Sequence, residues 1–115
     1  MSVTTGNDAP LAFYGEHEFL QGSTLINGFE VCGFSARGPH KETDNEDSGL
    51  AMPYGPDGLV LAVADGAGGL PAGRKASNTL LQAFAETLPE ALADDTPMRV
   101  AIISAIEEGN RRIQA

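Results

Sequence analysis

Three carboxylates near the middle of the chain have the types and spacing that bind a divalent metal ion. Asp65 ends the apolar run 59–65 and is followed directly by Gly66, while Glu46 and Asp47 stand together before another short apolar run. Carboxylate and carbonyl oxygens are the ligands that Mg²⁺ and Mn²⁺ prefer. Adjacent carboxylates also repel each other unless a cation lies between them. The pattern therefore favours a cation site, with an aspartate that merely caps a turn as the simpler alternative.

The glycines after Asp65 admit a second interpretation, a phosphate-binding loop between a strand and a helix. In such a P-loop a lysine directly follows the last glycine. Here Arg74 follows Gly73, and Lys75 comes one position late. Pro71 occupies the place of the third glycine in the dinucleotide-binding fingerprint. Both phosphate-loop interpretations are therefore disfavoured, and Asp65 itself remains the chemically informative residue.

A β-hairpin is the element that would bring the carboxylates together. The apolar runs 49–53 and 59–65 flank the turn sequence 56–58, which predicts two antiparallel strands. The first strand then begins at Asp47 where the second ends at Asp65, so the acidic residues meet at one end of the sheet. The uninterrupted apolar run 59–65 is typical of a strand buried on both faces. Asp65 is accordingly expected to be poorly solvated and to need a partner.

Two helices are predicted after this hairpin. A helix begins near Pro71 and is interrupted in the segment 89–97. Thr96 is the expected N-cap of the second helix, with Pro97 in its first turn. The first helix has an apolar stripe that contains Ala72, Ala76, Leu80, Phe84 and Leu88. The second has an apolar stripe of Ile102, Ile103, Ile106 and Ile113.

Before the hairpin, the alternating stretch 29–37 predicts a strand and the small, polar stretch 21–28 predicts a turn. Residues 1–25 are expected to form a partly loose segment. Strands followed by two helices indicate an α+β fold, with a sheet covered on one side by a helix pair. A chain of 115 residues fits a single domain.

Charge and cysteine content narrow the class of protein. The net charge of −9 disfavours nucleic acid and anionic membranes as partners. Cys32 is the only cysteine, which excludes an internal disulfide and a cysteine zinc cluster. The first residues lack the basic and apolar regions of a signal peptide. We therefore expect a cytoplasmic protein.

The motifs "NED" before a strand and "VADGAGGLPAGRKAS" leading into a helix resemble the N-terminal half of the PPM (type 2C) protein phosphatases. The stretch "EEGNRRI" also resembles the end of that family's second helix. The resemblance covers residues 26–115 and implies signalling enzymes that use Mn²⁺ or Mg²⁺ to hydrolyse phosphoserine and phosphothreonine in phosphoprotein substrates. It also implies an antiparallel β-sandwich flanked by helices, the αββα arrangement, with a two-metal centre at one end.

The resemblance assigns roles to four residues. Asp65 would bridge both metals, and the Gly66 carbonyl would bind one of them. Glu46 and Asp47 would bind directly or through metal-bound water. A water activated by the metals would attack phosphorus, so the implied catalytic residues are Asp65, Glu46 and Asp47, without a protein nucleophile.

Two departures from the family pattern stand out. The family has an arginine shortly before the acidic pair to bind the substrate phosphate, and Glu42 stands near that place. Lys41, His40 or Arg37 are the available substitutes. The metal-binding aspartates of the family's C-terminal half also have no counterpart, and the chain stops in a helical pattern without a breaker. We expect an incomplete active site that needs the missing half or another chain. The alternative is a phosphatase-like binding or regulatory module without catalysis.

Overall fold

A computed structural model describes residues 2–4, 9–14, 19–38, 45–66 and 71–115. Those residues form six strands followed by two helices, which confirms the predicted α+β class and element order. The elements are β1 (Ser2–Thr4), β2 (Leu11–Phe13), β3 (Phe19–Ile26), β4 (Phe29–Ala36), β5 (Asp47–Tyr54), β6 (Gly58–Asp65), α1 (Pro71–Ala93) and α2 (Met98–Gln114).

The strands form two three-stranded sheets. One has the order β2-β5-β6 and is antiparallel throughout. The other has the order β1-β3-β4, with β1 parallel to β3 and β3 antiparallel to β4. The predicted hairpin is confirmed, because β5 pairs with β6 from Asp47 opposite Asp65 to Tyr54 opposite Gly58. The predicted strand over 29–37 is confirmed as β4.

The turn predicted over residues 21–28 is wrong for most of its length. β3 continues to Ile26, and the turn consists of Asn27 and Gly28, which both have positive φ angles of 48° and 84°. An Asn-Gly pair suits a two-residue hairpin turn of this kind. The small, polar residues before it are strand residues because β4 pairs along the whole of β3, and such pairing overrides weak local preference.

The N-terminal strands contribute to both sheets. β2 pairs with β5, and Leu11 and Phe13 on β2 are buried. β3 continues past residue 25, which was the predicted end of the partly loose segment 1–25. Leu20 on this strand is buried as well. These strands therefore supply apolar side chains to the core.

Two apolar clusters lie on opposite faces of the β2-β5-β6 sheet. One joins the sheet to the helices and consists of Leu50, Met52, Val60, Ala64, Leu81, Phe84, Leu88, Ala101 and Ala105. The other joins side chains of both sheets and consists of Leu11, Phe13, Leu20, Ile26 and Ala51. The alternation of side chains along each strand sends them to both faces.

β6 is not buried on both faces, contrary to the prediction from its apolar run. Val60 and Ala64 are buried toward the helices, but Leu61 and Val63 on the other face are 64% and 84% exposed. β6 is an edge strand, and β4 of the second sheet packs against its neighbour β5. An apolar run alone does not reveal whether a second layer reaches the strand.

The helices form the outer layer. α1 begins at Pro71 as predicted and continues through Pro89 to Ala93. The predicted interruption over 89–97 is therefore confirmed only for residues 94–97, which separate the two helices. α2 has Pro97 rather than Thr96 at its N-cap, without a side-chain hydrogen bond there. The connection is short, and Leu80 contacts Gly109, which sets the two helices antiparallel. Among the described residues, no helix is long and apolar enough to cross a membrane.

Small residues form the buried face of α2. Ala101, Ala105 and Gly109 are its buried residues, whereas Ile103 and Ile106 are about half exposed. Of the predicted isoleucine stripe, Ile102 packs against the core, and the other three isoleucines are exposed. A Cβ atom at Gly109 would lie 2.6 Å from Leu80 Cδ1 and 3.2 Å from its Cα, so the two helices touch there almost backbone to backbone.

Charged side chains also join the two helices. Arg112 lies 2.6 Å from the Glu86 carboxylate on α1 and 2.9 Å from the Glu108 carboxylate on its own helix. Hydrogen bonds from Arg112 and then Arg111 lower the pKa of Glu108 below its ordinary value. Any stability from this carboxylate is therefore present near neutral pH and lost in acid, as Glu108 becomes protonated.

We expect Gly109→Leu to lower the free energy of unfolding by about 1–3 kcal/mol, because the new side chain must displace Leu80. Urea denaturation measures the change. Ser104→Leu is the matched control, because Ser104 is exposed on the same helix. Equal stability of the two variants would contradict the close helix contact.

Candidate functional site

Asp47 and Asp65 lie directly opposite each other at one end of the β5-β6 hairpin. Asp47 is the first residue of β5 and Asp65 the last of β6, and both are exposed. Cβ atoms of opposite residues in antiparallel strands are about 4.5–5.5 Å apart, and like charges at such a distance destabilise the sheet. The predicted approach of these two carboxylates is confirmed, and the pair suits a cation approaching from solvent.

The exposure of Asp65 differs from the sequence-based expectation. A strand buried on both faces would have left this carboxylate poorly solvated, but the face of β6 that carries Val63 is open. Desolvation is therefore not what makes a partner favourable for Asp65. The neighbouring charge of Asp47 is the reason that the structure provides.

Glu46 lies next to this pair but is buried, with 8% of the residue exposed. Its backbone carbonyl oxygen accepts a hydrogen bond from the Gly66 N–H at 3.1 Å and another from Ser77 Oγ at 2.6 Å. The first bond extends the β5-β6 ladder by one position, and the second ties the ladder to α1. Glu46 thus holds the acidic end of the hairpin against the helix.

Gly66 fills a position that has no room for a side chain. A Cβ atom there would overlap the carbonyl group of Gly73 and lie 2.8 Å from the carbonyl oxygen of Glu46. The end of β6, the start of β5 and the first turns of α1 therefore meet at Gly66. The role of its carbonyl as a metal ligand remains a prediction.

Two buried serines support this junction. Ser77 on α1 and Ser48 on β5 have Oγ atoms 3.0 Å apart, and Ser48 also donates a hydrogen bond to Asn78 Oδ1. Each hydroxyl has one proton, so donation by Ser77 to Glu46 and by Ser48 to Asn78 satisfies both groups. The sequence does not predict either serine contact, because a single serine in an apolar pattern gives no signal of what it contacts.

Asn45 positions the acidic pair from the other side. Its Oδ1 accepts a hydrogen bond from the Asp47 N–H at 3.1 Å, which is a local turn typical of asparagine. Its Nδ2 donates to Ser35 Oγ on β4 at 2.6 Å. The first residue of the "NED" motif therefore links the candidate site to the second sheet. An Asn before two acidic residues was the available signal for such a turn.

A cleft of about 300 Å³ opens beside Asp47. It lies between the end of β4 and the hairpin, and Phe13 and Val63 give it apolar walls. Ser35, Ser48 and Asp47 supply its polar groups. The cleft therefore provides space next to one of the two facing carboxylates.

The phosphate-binding candidates fall in different places. Arg37 is partly buried and directly follows Ala36, the last residue of β4, which lines the cleft. Lys41 and His40 lie outside the described residues. Arg37 is therefore the one of these three candidates whose position relative to the cleft is defined.

Within the described ranges, no group of three or more His, Cys, Asp and Glu side chains is placed to hold a metal ion. The hairpin thus supplies a pair of facing carboxylates, with the buried Glu46 beside it. Comparison of the chain with protein-family models, curated proteins and solved structures finds no match.

Ser77→Ala is expected to lower the free energy of unfolding by about 1–3 kcal/mol, because it removes a buried donor to Glu46 and a neighbour of Ser48. Chemical denaturation of the variant tests this. Ser104→Ala serves as the control, since Ser104 is exposed and should tolerate the change. A neutral effect of Ser77→Ala would mean that the hydroxyl network does not hold the junction.

Proposed function

We propose that this chain provides one wall of a PPM-type two-metal centre, in an enzyme that hydrolyses phosphoserine and phosphothreonine in proteins. The observation that supports it best is the register of Asp47 opposite Asp65, at an open end of the hairpin. Two facing carboxylates repel each other, and a divalent cation between them would attract both. A like-charge pair directly across two strands is a local cost that a bound cation would offset.

The oxygen atoms at the junction suit Mn²⁺ or Mg²⁺, which are the cofactors we propose. Asp65 and Asp47 would hold the metal, with Glu46 and the Gly66 carbonyl as the further candidate ligands. When bound, the metals would lower the pKa of water and stabilise negative charge that develops on phosphate. Glu46 and Gly66 also fix the two strand ends relative to each other through their backbone hydrogen bond.

Substrate phosphate would approach through the cleft beside Asp47. A phosphate near two carboxylates needs positive charge, which the metals supply together with a basic side chain. Arg37 is the described candidate, since it follows a residue that lines the cleft. Lys41 and His40 remain candidates from the sequence.

We also propose that the two sheets and the helices are part of the αββα sandwich of this family. The support is the pair of apolar clusters, one between the sheets and one between a sheet and the helices. The exposed Leu61 and Val63 on β6 resemble an inner face that another layer covers. A further segment or chain placed there would lie beside Asp65 and could supply the remaining metal ligands.

The alternative is a phosphatase-like binding or regulatory module that does not hydrolyse phosphate. It is favoured by the sequence, because Glu42 stands near the place where the family has its phosphate-binding arginine. In that case the facing aspartates would bind no metal with useful affinity. Metal binding therefore separates the two functions.

We expect Mn²⁺ to raise the melting temperature of the wild-type chain and to have little effect on Asp65→Asn or Asp47→Asn. At a Mn²⁺ concentration one hundred times the Kd, the gain is about 2.7 kcal/mol. Without metal, we expect Asp65→Asn to be more stable than the wild type by up to about 1 kcal/mol, because the variant lacks the like-charge pair. Thermal unfolding with and without Mn²⁺ measures both effects.

Asp57→Asn is the matched control, because Asp57 is an exposed aspartate in the turn at the opposite end of the same hairpin. It should keep the full response to Mn²⁺. A response that Asp57→Asn loses as much as Asp65→Asn does would indicate diffuse binding to an acidic surface. No response in the wild type would favour the non-catalytic module.

Hydrolysis by the chain alone is expected to be marginal. An aryl phosphate and a phosphoserine peptide, each with Mn²⁺, should give little turnover above an Asp65→Asn background, because the described residues provide one pair of facing carboxylates. Robust turnover that Asp65→Asn abolishes would establish the chemistry and show that the site is complete in this chain.

A further inference from the structure

α2 has a second apolar face, directed away from α1. Val100, Ile103, Ile106 and Ile113 follow one another at helical spacing, and each is between 43% and 50% exposed. We call these four residues the α2 stripe. The opposite face of the helix is already occupied, because its small residues pack against α1. A row of four exposed branched side chains on one helix is typical of a contact surface.

We propose that the α2 stripe packs antiparallel against the α2 stripe of a second copy of this chain, with Ile103 at the two-fold axis. Ile103 lies midway between Val100 and Ile106 in the sequence. An antiparallel pair centred there sets Val100 of each copy level with Ile106 of the other. The same patch thus serves both copies, as a two-fold interface requires.

Two charged residues within the span of the stripe have the same symmetry. Ile103 is also midway between Arg99 and Glu107, which are both exposed. The antiparallel pair therefore brings Arg99 of one copy level with Glu107 of the other, and this ion pair occurs twice. Within the part of the chain that the structure describes, neither residue forms an ion pair.

A parallel pair has no such complementarity. It would place Arg99 of one copy beside Arg99 of the other, and Glu107 beside Glu107. Like charges at an interface oppose association. The stripe thus matches itself in one orientation only. This self-complementarity favours a second copy over an unrelated partner, and it does not depend on the proposed catalytic function.

Disulfide trapping tests the orientation. In a Cys32→Ser background, which removes the exposed native cysteine, Ile103→Cys places two thiols together at the axis. Ile113→Cys is the control on the same stripe, because the antiparallel pair separates its two copies by about 30 Å. We expect rapid oxidation of Ile103→Cys to a covalent dimer and little from Ile113→Cys. Equal cross-linking of both, as in a parallel pair, would overturn the proposal.

Charge exchange tests the complementarity without altering the apolar contact. We expect the wild-type chain to dimerise in sedimentation equilibrium, and Arg99→Glu to weaken the dimer about tenfold or more by placing two acidic groups together. The double variant Arg99→Glu with Glu107→Arg restores the pairs and should recover the affinity. Lys75→Glu makes the same change in net charge at an exposed position on α1 and should have little effect.

Circular dichroism of each variant confirms that the helices are retained, so a loss of the dimer cannot be assigned to unfolding. A wild-type chain that stays monomeric at about 100 μM, well above the Kd of a specific dimer, would overturn the proposal. A dimer that Arg99→Glu does not weaken, or that the double variant fails to restore, would do so as well.

Discussion

The carbonyl oxygen of Glu46 is the point on which the arrangement of the candidate site depends. It accepts one hydrogen bond from the backbone at the end of β6 and another from a serine on α1, so three elements distant in sequence are fixed at one atom. A buried carbonyl with two lone pairs satisfied is costly to disturb, because a lost partner leaves a polar group without water. The two facing aspartates beside it are held in place by this backbone geometry, and their own charges oppose the arrangement.

Small residues make this junction possible. Gly66 leaves room for the Glu46 and Gly73 carbonyl groups, and Ser77 is short enough to sit buried between α1 and β5 while donating a hydrogen bond. Farther along the helices, Gly109 allows α2 to approach Leu80 on α1. The first contact positions the strand ends and the second positions the outer helix. In both places the close approach of main chains, rather than the filling of space by large side chains, determines how the layers fit.

The elements that the sequence predicted well are those with a local signal. The Pro-Asp-Gly turn and the apolar runs on either side predicted the β5-β6 hairpin, and with it the approach of Asp47 and Asp65.

The predictions that were wrong concern tertiary contacts. Residues 21–26 form a strand because β4 pairs with them. Three of the four α2 isoleucines are exposed, because small residues pack more closely against α1. Hydrophobic periodicity shows that a helix has an apolar face, but here α2 has two, and only the contact at Leu80 decides which of them is buried. The hydroxyl network around Ser77 likewise depends on residues about thirty positions apart.

If the facing aspartates bind a cation as proposed, local stability and function disagree at this one place. The turn sequence and the apolar side chains that cover one face favour formation of the hairpin. A like-charge pair at its end opposes the pairing of the two strands. Sequences that are otherwise locally consistent tend to break such rules at functional sites. The repulsion costs least at a strand end, because both carboxylates are in contact with water there. The hydrogen bonds at Glu46 hold the backbone in place. The cation site that we propose would suit such a position, because the unbound state remains folded and a bound cation would add to its stability.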